Sequence, residues 1–133
     1  MFETAAARYT QIRNTTASPG EVLLALYEGL FRFLNGARAC IERKNLVPAR
    51  EQLSKAYAIV SELYIALDYN AAPELCAQLE GVYGFAMDRL MHASRKCEIG
   101  LIDEVIRVLT PLREAWQVAV PQAQREQAAA AKR

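Results

Sequence analysis

Apolar positions in this chain recur at steps of three and four, the period of a helix with one buried face. Leu23, Leu26, Tyr27, Leu30, Leu34, Ala37 and Ile41 form the first such stripe. It follows "SPGE", where Ser18 suits an N-cap, Pro19 the first helical position and Glu21 the return partner of a capping box. This helix is expected to end near Lys44. A second is expected from Pro48 to about Asp68, with Leu53, Ala56, Val60, Leu63 and Leu67 inward. Pro73 opens a third, whose stripe is Leu75, Leu79, Val82, Tyr83, Ala86, Leu90 and Ala93, before the charged run "SRKCE" and Gly100 mark a turn. The fourth carries Leu101, Val105, Val108, Leu109, Leu112, Trp116 and Ala119. Pro111 lies within it and deletes a backbone donor, so a bend or a broken last turn is expected there.

No segment alternates with period two for long enough to make a strand. The expected fold is all-α, an antiparallel four-helix bundle over residues 18–120. Residues 1–17 are polar and lack a sustained period, and read as a mobile N-terminal arm carrying Tyr9 and Ile12. Residues 121–133, "PQAQREQAAAAKR", favour helix but have no apolar stripe, and read as a frayed or disordered tail.

One feature exceeds what a bundle core needs. Ala58, Ile65 and Tyr69 project from the second helix opposite its buried stripe, at spacings of seven and four. Leu24 and Phe31 on the first helix, Phe85 and Met91 on the third and Ile106 on the fourth also fall away from the expected core centre. Such a set suits either a covering element, such as the arm or a second subunit, or a groove that takes amphipathic helices from a partner. Met87 and Met91 fit an adaptable surface, and Met on a helix also serves as core filler.

Composition narrows the chemistry. The chain has 133 residues, 53% of them hydrophobic, and a formal net charge of +1, so neither a nucleic-acid footprint nor a polyanionic surface is present. No leading apolar segment resembles a signal, and no run approaches the roughly 18 apolar residues of a membrane span. Cys40, Cys76 and Cys97 are widely spaced within apolar patterns, which suits packing in a reducing compartment. The single histidine, His92, sits beside Asp88 on a polar flank, and no Glu-x-x-His repeat exists to hold a metal pair. No cofactor is called for. Arg38, Arg43 and Arg89 leave open a small dicarboxylate-binding bundle enzyme, although arginines at stripe edges usually lay their stems on the core and keep their heads in water.

Four stretches together resemble the flagellar secretion chaperones of the FliS family. "TASPGEVLLALYEGLFRFLNGA" is similar to that family's opening, a TASP cap followed by an LYxG segment. "AREQLSKAYAIVSELYIALD" resembles its second helix, ending in Val60, Leu63, Leu67 and Asp68. "LEGVYGFAMDRLMHAS" is similar to its third, and "LIDEVIRVLTPLREAWQ" to its closing LxxLRxAW, here Leu109, Leu112, Arg113, Ala115 and Trp116. Order and spacing match over about residues 9–118. Val82-Tyr83-Gly84-Phe85 departs from the usual Leu-Tyr-Asp-Tyr, and "NAAPEL" lacks the usual glycines.

The resemblance implies a cytoplasmic, non-enzymatic chaperone that wraps the disordered C-terminal segment of flagellin and delivers it to the export gate. It further implies an arm that plugs the empty client site, here through Tyr9 and Ile12. The candidate partner-binding residues are therefore Tyr9, Ile12, Leu24, Ala58, Ile65, Tyr69, Phe85, Met87, Met91 and Ile106, on a monomer or weak dimer. A helical adaptor or homodimer whose stripes meet each other is the alternative of a different class.

Overall fold

A computed structural model describes residues 17–132 as four α-helices, with no strand among them. They are α1 (Pro19–Glu42), α2 (Leu46–Ile65), α3 (Pro73–Lys96) and α4 (Ile99–Ala131). Residues 43–45 and 97–98 make tight turns at one end of the bundle, and residues 66–72 connect α2 to α3 at the other. The turns keep successive helices antiparallel. Each helix packs on its two neighbours in a ring, α1 on α2, α2 on α3, α3 on α4 and α4 back on α1.

The start of α1 shows how sequence sets the fold. The Ser18 side chain accepts a hydrogen bond from the Glu21 amide at 3.2 Å, the first half of the expected capping box. The Glu21 carboxylate accepts from Gln124 at 3.3 Å, and the same Gln124 amide reaches the Ser18 hydroxyl at 3.0 Å. Ser18 thus caps one helix and anchors another. Ser18→Ala is expected to lower stability by about 1 kcal/mol, the usual cost of losing such a cap, visible as a lower urea midpoint. An unchanged midpoint would show that the cap contributes nothing here.

The core follows the stripes with four corrections, the first being Ala119, expected inside on α4 but exposed, with Val120 buried next to it. Leu30, Leu34, Leu53, Val60, Leu90, Ile102, Val105 and Leu109 are sealed from solvent. Phe31, expected outside, is buried, because α1 packs on both α2 and α4 and so buries a wider arc than one stripe; the Arg113 guanidinium lies 4.7 Å from its ring centre. Leu75, expected inside, is 43% exposed, because it sits in the first turn of α3 at the bundle's end. Leu23 is half-buried at the core's edge, and Val22 takes the inward place beside it.

Helix ends also shift. α2 stops at Ile65 with Ala66 as its C-cap, so Tyr69 belongs to the connection rather than to a helical stripe. There Asp68 accepts from the Asn70 amide at 3.1 Å, an Asx turn that diverts the chain. Gly100, expected to help the turn, lies in the first turn of α4, and the left-handed backbone falls on Lys44 and Cys97 instead, at φ 61° and 53°.

α4 does not break at Pro111. It runs 33 residues through Pro111 and Pro121, and is helical across the tail read as frayed or disordered. An interior proline costs roughly 3 kcal/mol. Packing on both sides offsets it: Leu109 is sealed two residues before Pro111, Leu112 and Trp116 lie against the core, and Val120 is buried further on. Val120 fits because residue 20 is glycine. A Cβ there would lie 2.6 Å from the Val120 Cγ1 atom.

Candidate protein-binding surface

Inside the bundle the described residues bury no charged side chain. The one polar contact at the centre joins Tyr27 of α1 to Tyr83 of α3, hydroxyl to hydroxyl at 2.6 Å, bridging helices that are not neighbours in the ring. Burial pushes both hydroxyls above the ordinary tyrosine range; the neighbouring Tyr27 raises Tyr83 further, whereas the bond to Tyr83 and the dipole of Trp116 moderate Tyr27. The Trp116 indole nitrogen is buried near this pair, beyond hydrogen-bond length. Tyr27 lies in the stretch that follows the Ser18 cap and Tyr83 in the "LEGVYGFAMDRLMHAS" stretch. Periodicity placed each inward without showing that they meet.

Of the charged groups that suggest a ligand site, Arg38, Arg89 and His92 lie beside carboxylates. Arg38 donates to Asp103 at 2.9 Å and also pairs with Glu42. Arg89 lies 3.5 Å from Glu104 and 3.7 Å from Asp88, with its guanidinium over Phe85 at 5.1 Å. His92 sits 3.5 Å from Asp88. Among the described residues no group of three His, Cys, Asp or Glu side chains is placed to hold a metal ion. The three cysteines are free.

The apolar surface is where the molecule departs from a plain bundle. Ile65 is 73% exposed, and Tyr64, Tyr69 and Leu75 stand out beside the α2–α3 connection. Tyr64 and Tyr69 both donate to the Glu80 carboxylate, the former at 3.4 Å, so their rings are held together around one acidic group. That bond, with partial desolvation, pushes the Tyr69 hydroxyl up to about 12. Tyr64 and Leu75 were not among the residues expected to bind. Tyr64 lies beside Ile65, and no stripe singles it out; Leu75 falls on the expected core stripe of α3.

Phe85 and Met91 are exposed on α3, about 120° apart around its axis, so they do not share one stripe. Ala58, Met87 and Ile106 are half-buried against the core and form its rim. Leu24 is half-buried and lines a cavity of about 170 Å³ with Tyr27, Glu28, Arg113 and Gln117. Tyr9 and Ile12 lie outside the described residues.

Two larger grooves flank the start of α1. One, of about 580 Å³, runs between α1 and the end of α2 along Ala17, Val22, Leu26, Leu63 and Ala66. The other, of about 290 Å³, lies between α1 and α4 along Leu23, Trp116, Ala119 and Ala123. No helix among the described residues is long and apolar enough to cross a membrane.

A helical bundle with its charged pairs on the outside, and with clustered aromatic and aliphatic side chains left beyond its core, belongs to the class of proteins that act by contact with other chains. Comparison gives the class a name. The family model described as "Flagellar protein FliS" matches residues 2–123. The chain is 36% identical over 112 residues to the flagellar secretion chaperone FliS of Bacillus subtilis, an alignment covering 84% of this chain and 83% of that one. It is 31% identical over 109 residues to the Salmonella typhimurium FliS, covering 81% of each. The Campylobacter jejuni FliS is also 31% identical over 109 residues, covering 82% of this chain and 85% of that one. The chain belongs to the FliS family of flagellar secretion chaperones, a family of chaperones and not of enzymes, whose partners are flagellar proteins.

Proposed function

We propose that this protein is the cytoplasmic chaperone of flagellin, covering its disordered C-terminal segment before export, preventing premature polymerisation and presenting it to the export gate. The observation that carries this reading is the exposed apolar set around Ile65, together with the two grooves beside α1, on a chain of the FliS family. A segment that polymerises by helix packing outside the cell displays apolar stripes inside it. Apolar grooves lined by Leu23, Leu26, Leu63 and Trp116 suit such stripes, reading them as anchors at helical spacing. Ordering a disordered segment costs on the order of 2–5 kcal/mol, so a wide contact remains reversible.

Residues 1–17, with Tyr9 and Ile12, act in this reading as a competitor for the empty client site, since the chain enters α1 at Ala17 and Pro19 between the two grooves. Calorimetric titration of the full chain with a peptide of the flagellin C-terminal segment tests both points. Binding heat at one-to-one stoichiometry is expected, and removing residues 1–17 should tighten it. No heat from a protein that sediments as a tight dimer would sink the chaperone reading in favour of a homodimeric adaptor. Unchanged affinity without the arm would remove its role as competitor.

A further inference from the structure

Charge is segregated along this chain. From Ala56 to Asp88 the acidic residues Glu62, Asp68, Glu74, Glu80 and Asp88 occur without one Lys or Arg, although the whole chain is nearly neutral. Folding collects most of this stretch at one end of the bundle: the end of α2, the connection and the start of α3. The opposite end, with its two tight turns, is mixed, carrying Arg43, Lys44, Arg50, Arg95 and Lys96 beside Glu42, Glu51 and Glu98.

The acidic end is also the apolar one. Tyr64, Ile65, Tyr69 and Leu75 stand exposed there, and both tyrosine hydroxyls are spent on Glu80, which turns the ring bodies into the available surface. Cys76 donates to the Asp68 carbonyl at 3.3 Å and ties the connection to α3. The surface is therefore held in place rather than loosely draped. Apolar side chains amid carboxylates select an occupant with the complementary pattern: an apolar helix stripe flanked by Lys or Arg. Nucleic acid and anionic membrane carry the wrong sign for the carboxylates around the α2–α3 connection.

We propose that this end of the bundle is a docking site for a basic amphipathic segment of the client, with the stripe on Ile65, Leu75 and the two rings and with cationic flanks against Glu80, Glu74 and Asp68. This rests on the reading of the protein as a flagellar client chaperone, and adds which surface is used and what chemistry it selects. The carboxylates contribute mainly selectivity and rate of encounter, and the apolar stripe the greater part of the affinity.

The test uses the full chain and two designed helical peptides with the same Leu and Ile stripe, one flanked by Lys and Arg, the other by Glu. Fluorescence polarisation is expected to show the basic peptide binding at least about tenfold tighter, an advantage shrinking as salt rises from about 50 to 500 mM. Glu80→Lys should reverse or erase the preference, and Ile65→Asp should weaken both peptides, with unchanged circular dichroism melting for each variant. Equal binding of the two peptides, or a preference untouched by Glu80→Lys, overturns the proposal. So does end-to-end self-association by sedimentation that requires Arg43 and Lys44, since the acidic end would then serve another copy of the chain. If the flagellin segment binds undiminished to Ile65→Asp and Glu80→Lys, this docking site falls while the chaperone reading stands. If the flagellin segment fails but the basic peptide binds as described, the site stands and the client is another flagellar protein.

Discussion

Ile65→Asp leaves the bundle folded while Leu63→Asp destroys it, although one residue separates them. Leu63 is 5% exposed and packs with the core of α1 and α2. A carboxylate there has no basic partner within the core and costs several kcal/mol, against a total stability on the order of 5–15 kcal/mol for a domain. Ile65 is 73% exposed, and surface changes of this kind usually move stability by about 0.5 kcal/mol or less. Binding inverts the ranking among variants that fold. If Ile65 is an anchor for the flagellin segment, its loss costs about 1.4 kcal/mol or more, so affinity falls at least tenfold. Thermal melting by circular dichroism and calorimetric titration of the same samples read both quantities. A melting point for Ile65→Asp as low as that of Leu63→Asp would place Ile65 in the fold rather than on the binding surface.

Tyr83→Phe is expected to cost about 1–3 kcal/mol, because it strands the Tyr27 hydroxyl in a sealed core without its partner. Tyr27→Phe should do the same from the other side. The double variant should cost less than the sum, since the second change removes the stranded group, and urea denaturation of all four proteins gives the coupling directly. Additive effects would show that the short contact contributes no pairing energy. A pH signature accompanies it. Both hydroxyls are held above the ordinary tyrosine value of 10.0, chiefly by burial, so the folded state keeps protons that the unfolded state releases. Their contribution is complete below pH 10 and declines as pH rises above it. The double phenylalanine variant should therefore lose less stability than the parent on moving to stronger alkali.

Helical period carries the fold because burial in a bundle is periodic, and so the four elements and most of the core could be read from single stripes. The misses share a cause. Phe31 is covered by α1's second neighbour, Leu75 is stranded by the end of the bundle, and Tyr69 leaves the helix at an Asx turn; each depends on where elements stop or meet. The candidate surface was legible in part. Ile65 announced itself by its spacing, whereas Tyr64 gained meaning only when Glu80 from α3 brought its ring beside Tyr69. The acidic bias between Ala56 and Asp88 is plain in the sequence, yet nothing in the order of residues says that it becomes one end of the molecule. The tail lacks a stripe of its own, which suits a frayed or disordered extension; Val120 and Gln124 hold its root because Gly20 makes room and Ser18 faces it.

The ring of helices is closed unequally. Three of its four seams join helices adjacent in the chain, which form after short loop closures, but the α1–α4 seam joins the two ends and carries the longest closure entropy. That seam is fastened by Gln124 on Ser18 and Glu21 and by Val120 against Gly20. It is also the one beside Trp116 and Val120 that encloses a groove. Because that seam alone has no short connection across it, parting it would leave the other three joined through the chain.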